Sequence, residues 1–431
     1  MEKRYKFNGA AKFAPFLIVL VAISSVTPYL IIPTDHWLFW LIIPTLTLFI
    51  FWKLRTKQVI TYKSELSIVS VYIAYNLFSI LRGVLIADTY WDWKGLLINS
   101  LGILVPLVAY CCSNLYLLQR IIKFYIKYGL PIFFVVAIFT IKGAYGFYLV
   151  PISLLSLFLP VLHKKGRWIV VVFTLIGIFA DFGARSNVIK FVMPIMLLLI
   201  FYFRRIITVR MLGVIRNILF ILPFALFYLA ITGTFNIFNI NDYVKSDLVD
   251  VKQNSQGEVI EDDLKADTRT FLYQEVLQTA DRYDTWLFGR SPARGNDTEA
   301  FADIADITGK KERLTNEAAI LNVFTWTGLV GVFIFMLVFY RASYLAITNS
   351  NNIYSKMLGV FIAFRWLYSW IEDTNGFTLN TVFLWLMIGL CLSKVFRRMS
   401  EMEIKYWVHG MFGKRYKMAI KGRGSSQIEA V

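Results

Sequence analysis

The stretch WIVVVFTLIGIFADFGARSNVIKFVMPIMLLLIFYF, Trp168 to Phe203, holds two apolar runs separated by Asp181 and Arg185, with Lys190 shortly after. As one buried element it is too long and too charged. As two membrane helices joined by a tight turn, each run approaches the roughly 20 residues needed to cross a hydrocarbon core about 30 Å thick. This reading decides the fold, because the rest of the chain follows the same pattern. Of 431 residues, 57% are hydrophobic, 17% aromatic and 17% charged, and the mean hydropathy is +0.59. A soluble domain so apolar would expose large apolar patches.

About twelve apolar segments qualify as spans by length, with cores near 14–32, 37–53, 66–86, 96–117, 121–141, 146–162, 168–183, 187–203, 212–231, 318–340, 356–371 and 378–395. The fold class expected is an all-α polytopic membrane protein. MEKRYK and the apolar run after it lack a small-residue cleavage site and read as a retained first span.

Lysine and arginine test this count, because short cytoplasmic links carry them in excess. With the N-terminus cytoplasmic, the links on that side are KLRTK with Lys63, Arg120 with Lys123, HKKGR, RRIITVR, and Arg341 with Lys356. The opposite links are PTDHW, ADTYWDW, GAYG, DFGARSN, 232–316 and IEDTNG, mostly neutral or acidic. The chain then divides into 1–231 (nine spans), a long periplasmic loop 232–316, 317–395 (three spans) and a basic cytoplasmic tail 396–431. The loop holds 10 Lys or Arg against 16 Asp or Glu, and the remainder 35 against 12. The net charge of +17 therefore sorts by membrane side, which excludes a nucleic-acid patch.

Within the loop, NDYVKSDLVDVKQNSQGEVIEDDLKAD is polar and reads as mobile. Asp267 is placed to cap an amphipathic helix over RTFLYQEVLQTADRYDTW, with Leu272, Val276, Ala280 and Tyr283 on one stripe, stopped near Gly289 and Pro292. This helix is expected on the outer membrane face, against the spans. Cys111, Cys112 and Cys391 lie in apolar runs and read as small buried hydrophobes. Trp91, Trp93, Trp366 and Trp370 read as an interfacial belt.

No phosphate-binding glycine loop is present, and His36, His163 and His409 sit at span edges or in the tail, away from any triad or metal pattern. The chemistry falls to arginines and carboxylates. A charge within a span costs about 2.5–3.5 kcal/mol on insertion scales and so faces a bundle interior or a wet cavity. Arg82, Asp181, Arg185, Lys190, Arg365, Glu372, Asp373, Arg269 and Glu317 all reach the outer level under this topology. The bland alternatives are that Arg82 snorkels or pairs with Asp88 or Asp92, and that Asp181 pairs with Arg185 or Arg269. Likewise, Arg290, Arg294, Lys310, Lys311 and Arg313 read as solvated or lipid-facing.

Three stretches together resemble the O-antigen ligase and polymerase family. GARSNVIKF is similar to its arginine at a span turn; TRTFLYQEVLQTADRYDTWLFGR to its loop helix, with Arg269 and Gly289 on the motif; and NEAAILNVFTWTGLVG to the span that follows, with Gly328 and Gly331 matching. The motif resemblance covers roughly 180–340. Ligases of the family carry a histidine at the start of that span. Glu317 stands there in this chain, which favours polymerase over ligase.

The resemblance implies a GT-C-like fold in the bacterial inner membrane and glycosyl transfer between undecaprenyl-diphosphate-linked glycans. It implies a chain-length-regulating membrane co-polymerase as a partner, and neither metal nor other cofactor. Such chemistry calls for cations on the leaving diphosphate and a base for the attacking hydroxyl. Arginine suits the first, because its planar fork holds phosphate oxygens and stays charged in apolar surroundings. A carboxylate with its pKa raised by partial burial suits the second. Arg185, Arg269 and Arg365 are the clamp so implied, Glu317 the base and Asp181 its alternative, with Arg82, Arg290, Lys190 and Glu372 lining the site. A flippase, the rival from another class, would line both membrane halves with charge.

Overall fold

The computed structural model describes residues 9–31, 36–58, 65–181, 185–236, 249–253, 259–263 and 269–413. Helices dominate: α1 (Gly9–Ser24), α2 (Ile43–Gln58), α3 (Ser67–Ile86), α4 (Tyr90–Ile103), α5 (Leu115–Phe124), α6 (Leu130–Ile138), α7 (Tyr145–Ser156), α8 (Lys164–Phe179), α9 (Arg185–Tyr202) and α10 (Val209–Ile231). They continue with α11 (Thr270–Arg282), α12 (Ile304–Thr308), α13 (Ala319–Thr348), α14 (Ile353–Tyr368), α15 (Leu379–Leu392), α16 (Lys394–Arg398) and α17 (Glu401–Phe412). Among the described residues, seven helical segments are long and apolar enough to cross a membrane: Ala11–Tyr29, Ser67–Ile86, Tyr90–Ser113, Leu115–Ile138, Arg185–Tyr202, Val209–Ile231 and Ala319–Thr348. The protein is an all-α, multi-pass membrane protein.

The segments expected near 37–53, 146–162, 168–183, 356–371 and 378–395 also form helices, but shorter ones. α7, α14 and α15 have 12, 16 and 14 residues. At 1.5 Å per residue even the longest gives about 24 Å, less than a hydrocarbon core. The physical reason is burial. Every residue of α15, and of α7 from Tyr148 onward, is buried, so protein rather than lipid surrounds these helices. By contrast, α10 buries only Leu212, Arg216, Phe220 and Pro223.

The links after α1, α6 and α14 and the segment around α11 meet at one end of the bundle, called here the loop end. The backbone N–H of Ile31 donates to Phe139 O (2.9 Å) and that of Ile141 to Tyr29 O (3.1 Å), and Asn99 Nδ2 donates to Pro292 O (2.9 Å). The other end gathers the basic links. There α17 docks on α5 through Trp407 Nε1, which donates to Leu115 O (2.9 Å). The segment expected as a basic tail is helical over Glu401–Phe412.

The polar stretch expected to be mobile contains an antiparallel hairpin, β1 (Val249–Gln253) with β2 (Val259–Asp263), Val249 opposite Asp263. Apolar–polar alternation in Val249-Asp-Val251 is the strand signal that its overall polarity masks. A second, minimal pair joins β3 (Asn296–Asp297) to β4 (Glu312–Arg313).

The amphipathic loop helix is present as α11. Leu272, Val276 and Ala280 are buried as expected, but Tyr283 is exposed. The helix stops at Arg282, where Asp284 takes a positive φ of 50° and Thr285 N–H donates back to Ala280 O (3.0 Å). The expected cap, Asp267, lies outside the described residues.

Beyond α11 the chain 286–291 runs into a break in α13 at Gly328 (φ 66°). In an unbroken helix the N–H groups of Leu329 and Val330 would donate to Thr325 and Trp326. Instead they donate to Trp286 O (2.8 Å) and Leu287 O (3.2 Å), while the two abandoned carbonyls accept from Arg290 N–H (2.6 Å) and Ser291 N–H (3.1 Å). Tyr75 Oη–H donates to Thr327 O (2.7 Å), and Arg82 donates to Phe288 O (2.6 Å) and Gly289 O (2.9 Å). The loop thus supplies the partners that lipid cannot. A methyl group on Gly289 or Gly328 would overlap the other segment's backbone, and both residues have positive φ. Leu329 to Thr348 alone reaches about 30 Å, so the bilayer needs only the part of α13 beyond the break.

Candidate functional site

Asn187 and Lys190 lie three residues apart on α9 and so share a face. Asn187 Oδ1 accepts from Lys190 Nζ (3.1 Å), and Asn187 Nδ2 donates to Gly143 O (2.5 Å). The buried ammonium of Lys190 pairs with Glu372 and lies 4.6 Å from the Phe147 ring centroid. From α14, Arg365 meets Glu372 Oε2 at 3.2 Å and donates to Asn380 Oδ1 (3.3 Å). Lys190 and Arg365 are each 2% exposed, so two cations share one carboxylate away from solvent. Arg365 Nε has no hydrogen-bond partner.

Glu372 belongs to the link between α14 and α15, and that link also holds the start of α13. Ala319 N–H donates to Glu372 O (3.1 Å) and Ile320 N–H to Ser369 O (3.0 Å), covering two of the donors that a helix N-terminus leaves open. Asn322 Nδ2 donates to Asp373 Oδ1 (3.1 Å), Asn375 N–H to the same oxygen (2.8 Å), and Asn375 Nδ2 to Ala319 O (2.7 Å). Burial pushes the half-buried Asp373 carboxyl up to about 6, and the Glu372 charge adds to that, against the hydrogen bonds from Asn375, Asn322 and Gly376.

Arg269, at the start of α11, reaches the same link. Its Nε donates to Ile371 O (3.2 Å), and Nη2 is 3.8 Å from Glu317 Oε2. Glu317 is half exposed and also meets Arg313 at 3.4 Å. Next to it Tyr273 Oη–H donates to Trp370 O (2.5 Å). Below these groups an apolar groove of about 530 Å³ runs between α10, α11 and α14, lined by Leu226, Phe227, Phe364, Leu367, Tyr368 and Ile371 among others. Thr270, which follows Arg269, and Ile371, whose carbonyl Arg269 holds, are among its lining residues.

The structure joins Lys190, Arg365 and Glu372 directly, and brings Arg269 and Glu317 to the same link. Other expected site residues stand elsewhere. Arg185 is exposed at the first residue of α9, and Asp181 is half-buried at the preceding turn. Arg82 does not pair with Asp88 or Asp92 but holds the loop carbonyls. Arg290 is neither solvated nor lipid-facing: it is 8% exposed, packs 4.1 Å from the Tyr283 centroid and contacts Asp297 (3.5 Å) and Glu312 (3.3 Å). Trp366 is no belt residue either, being fully buried and stacked on Phe220. The three cysteines are buried and free.

Several residues escaped sequence reasoning: Asn187, Asn322, Asn375 and Asn380, and Tyr273. An asparagine inside an apolar run carries a desolvation cost that calls for partners, and that was the available signal for Asn187, Asn322 and Asn380. No protein-family model matches this chain, and no curated protein matches it.

Proposed function

We propose that this protein polymerises lipid-linked oligosaccharide repeat units at the outer face of the bacterial inner membrane. Undecaprenyl diphosphate is the leaving group. The observation that carries the reading is the apolar groove lined by Thr270 and Ile371, residues that adjoin Arg269 in sequence and by hydrogen bond, with Glu317 beside Arg269 and Lys190 and Arg365 behind the same link. A polyprenyl chain suits the groove and a diphosphate suits the cations. In the proposed step the acceptor sugar hydroxyl oxygen bonds to the donor's anomeric carbon. The bond from that carbon to the diphosphate oxygen breaks, the diphosphate leaves with the electron pair, and the hydroxyl proton passes to Glu317. Arg269 exchanges its contact with Glu317 for the departing phosphate oxygens, which frees the carboxylate as charge develops on the leaving group. Arg185, exposed at the loop end, is the second cation of the clamp.

In this reading the chain has twelve spans in a GT-C-like arrangement, both termini are cytoplasmic, the long loop is periplasmic, and a co-polymerase sets chain length. Loss of one preorganised stabiliser costs about 2.7–4 kcal/mol of transition-state energy, or a rate loss of about 10²–10³. Gene deletion should leave surface glycan with a single repeat unit on its anchor, and Arg269→Ala at normal expression should reproduce that. Long glycans in either strain, or glycan absent altogether, would refute the reading.

A further inference from the structure

We infer that a second apolar groove, between the end of α1 with the link after it, Phe39 ahead of α2, and α6, seats the polyprenyl chain of the acceptor, so that the charged centre receives lipid substrates from two sides. This rests on the polymerase reading, in which both substrates are anchored by a chain. Two such chains cannot share one groove, because each must stay in lipid while the two heads converge. The second groove measures about 390 Å³ and is lined by Ile23, Val26, Leu30, Phe39, Val135 and Phe139 among others. Ile31 and Phe139, 68% and 58% exposed, mark its open side.

Two lines of contact connect its loop end to the centre. Tyr29 stacks on Phe147 at 5.1 Å, and Phe147 lies under the Lys190 ammonium. Lys142, close after groove-lining Phe139, is followed by Gly143, whose carbonyl accepts from Asn187, the partner of Lys190. Lys142 is exposed and makes no ion pair among the described residues. It is the cation at the head of this groove, as Arg269 is at the first. The remaining groove surface is apolar but for Thr27, whose hydroxyl is bonded to Ser24 O (2.8 Å), so a hydrocarbon tail with an anionic head fits it from end to end.

The test uses the full chain in nanodiscs of phosphatidylethanolamine and phosphatidylglycerol, with a polyprenyl diphosphate carrying a diazirine in its chain, and adducts mapped by mass spectrometry. Adducts are expected at both grooves, displaced from both by unlabelled polyprenyl diphosphate and from neither by extra phosphatidylglycerol. Lys142→Gln should weaken displacement at the second groove about tenfold, the loss of about 1.4 kcal/mol, and leave the first within about twofold. Val135→Trp should abolish adducts at the second groove only. Adducts confined to the first groove overturn the inference and leave the polymerase reading standing. Adducts at the second groove that phosphatidylglycerol also displaces, or unchanged affinity there in Lys142→Gln, do the same. Adducts at neither groove overturn both.

Discussion

Two ionic chains of the same design stand at the loop end, one buried at both ends and one open. The outer one alternates strictly: Lys310 meets Asp92 (2.7 Å), Asp92 meets Arg294 (3.5 Å), Arg294 meets Glu312 (3.1 Å), Glu312 meets Arg290 (3.3 Å), Arg290 meets Asp297 (3.5 Å) and Asp297 meets Arg282 (2.6 Å). Its terminal cations, Lys310 and Arg282, have side chains 28% and 66% exposed. The inner chain, Lys190–Glu372–Arg365, also ends in cations, but these are 3% and 2% exposed. Each chain carries one surplus positive charge. Water screens that charge in the outer chain; in the inner chain the surplus stays inside the protein, where an unpaired ion is costly. The outer chain therefore serves as a tie between the loop and α4, whereas the inner one has an unmet demand for an anion.

The sharpest way to break this contrast is to remove the shared anion. Glu372→Gln leaves two buried cations without a carboxylate and should destabilise the protein by about 3–5 kcal/mol, read as a large fall in thermal midpoint in detergent. Lys190→Met leaves a one-to-one pair and should cost far less. Equal losses in the two variants would show that the inner chain holds no surplus charge.

A middling effect is expected at Asp373, next to the inner chain but with no cation of its own among its contacts. Its folded pKa of about 6 lies above the ordinary 3.8. The folded state therefore binds the proton more tightly. The stability tied to that proton is fully present below pH 3.8 and is lost as pH rises through 6. Two units correspond to about 3 kcal/mol, and partial exposure reduces this to about 2 kcal/mol. Asp373→Asn, which keeps an oxygen for Asn322 and Asn375, should raise the midpoint at pH 7.5 and leave it unchanged at pH 4. A benefit of equal size at both pH values would dissociate the effect from ionisation.

Which parts of this arrangement were legible in the sequence follows from how far each interaction reaches along the chain. Seven of the apolar segments and the Leu272–Val276–Ala280 stripe are local patterns, set by the hydrocarbon thickness and the helical period, and they appear as read. The short core helices α7 and α15 read like the longer ones because apolarity does not distinguish a protein neighbour from a lipid one. Gly289 and Gly328 stood out individually, yet nothing local says that their backbones touch, or that Arg82 closes the contact. At the site, Lys190, Arg365 and Glu372 were each conspicuous as charges in apolar surroundings, but their sharing of one carboxylate depends on three separate elements. Arg185 drew attention for the same reason, and among the described residues no hydrogen bond or ion pair ties it to that centre.

The smallest expected effect tests the open chain at its most solvated end. Arg282 is the last residue of α11, and its guanidinium reaches Asp297 across solvent. Asp297 keeps a second partner in Arg290, and its backbone N–H is held by Thr279 Oγ1 (3.0 Å). Removing Arg282 therefore strands no charge. An exposed pair of this kind contributes about 0.2–1 kcal/mol and weakens with salt, so Arg282→Ala should lower the thermal midpoint slightly at low ionic strength and by nothing measurable at 0.5 M NaCl. A loss comparable to that of Glu372→Gln, or one that salt leaves intact, would mean that the outer chain is as poorly screened as the inner, and exposure would no longer be what separates the two.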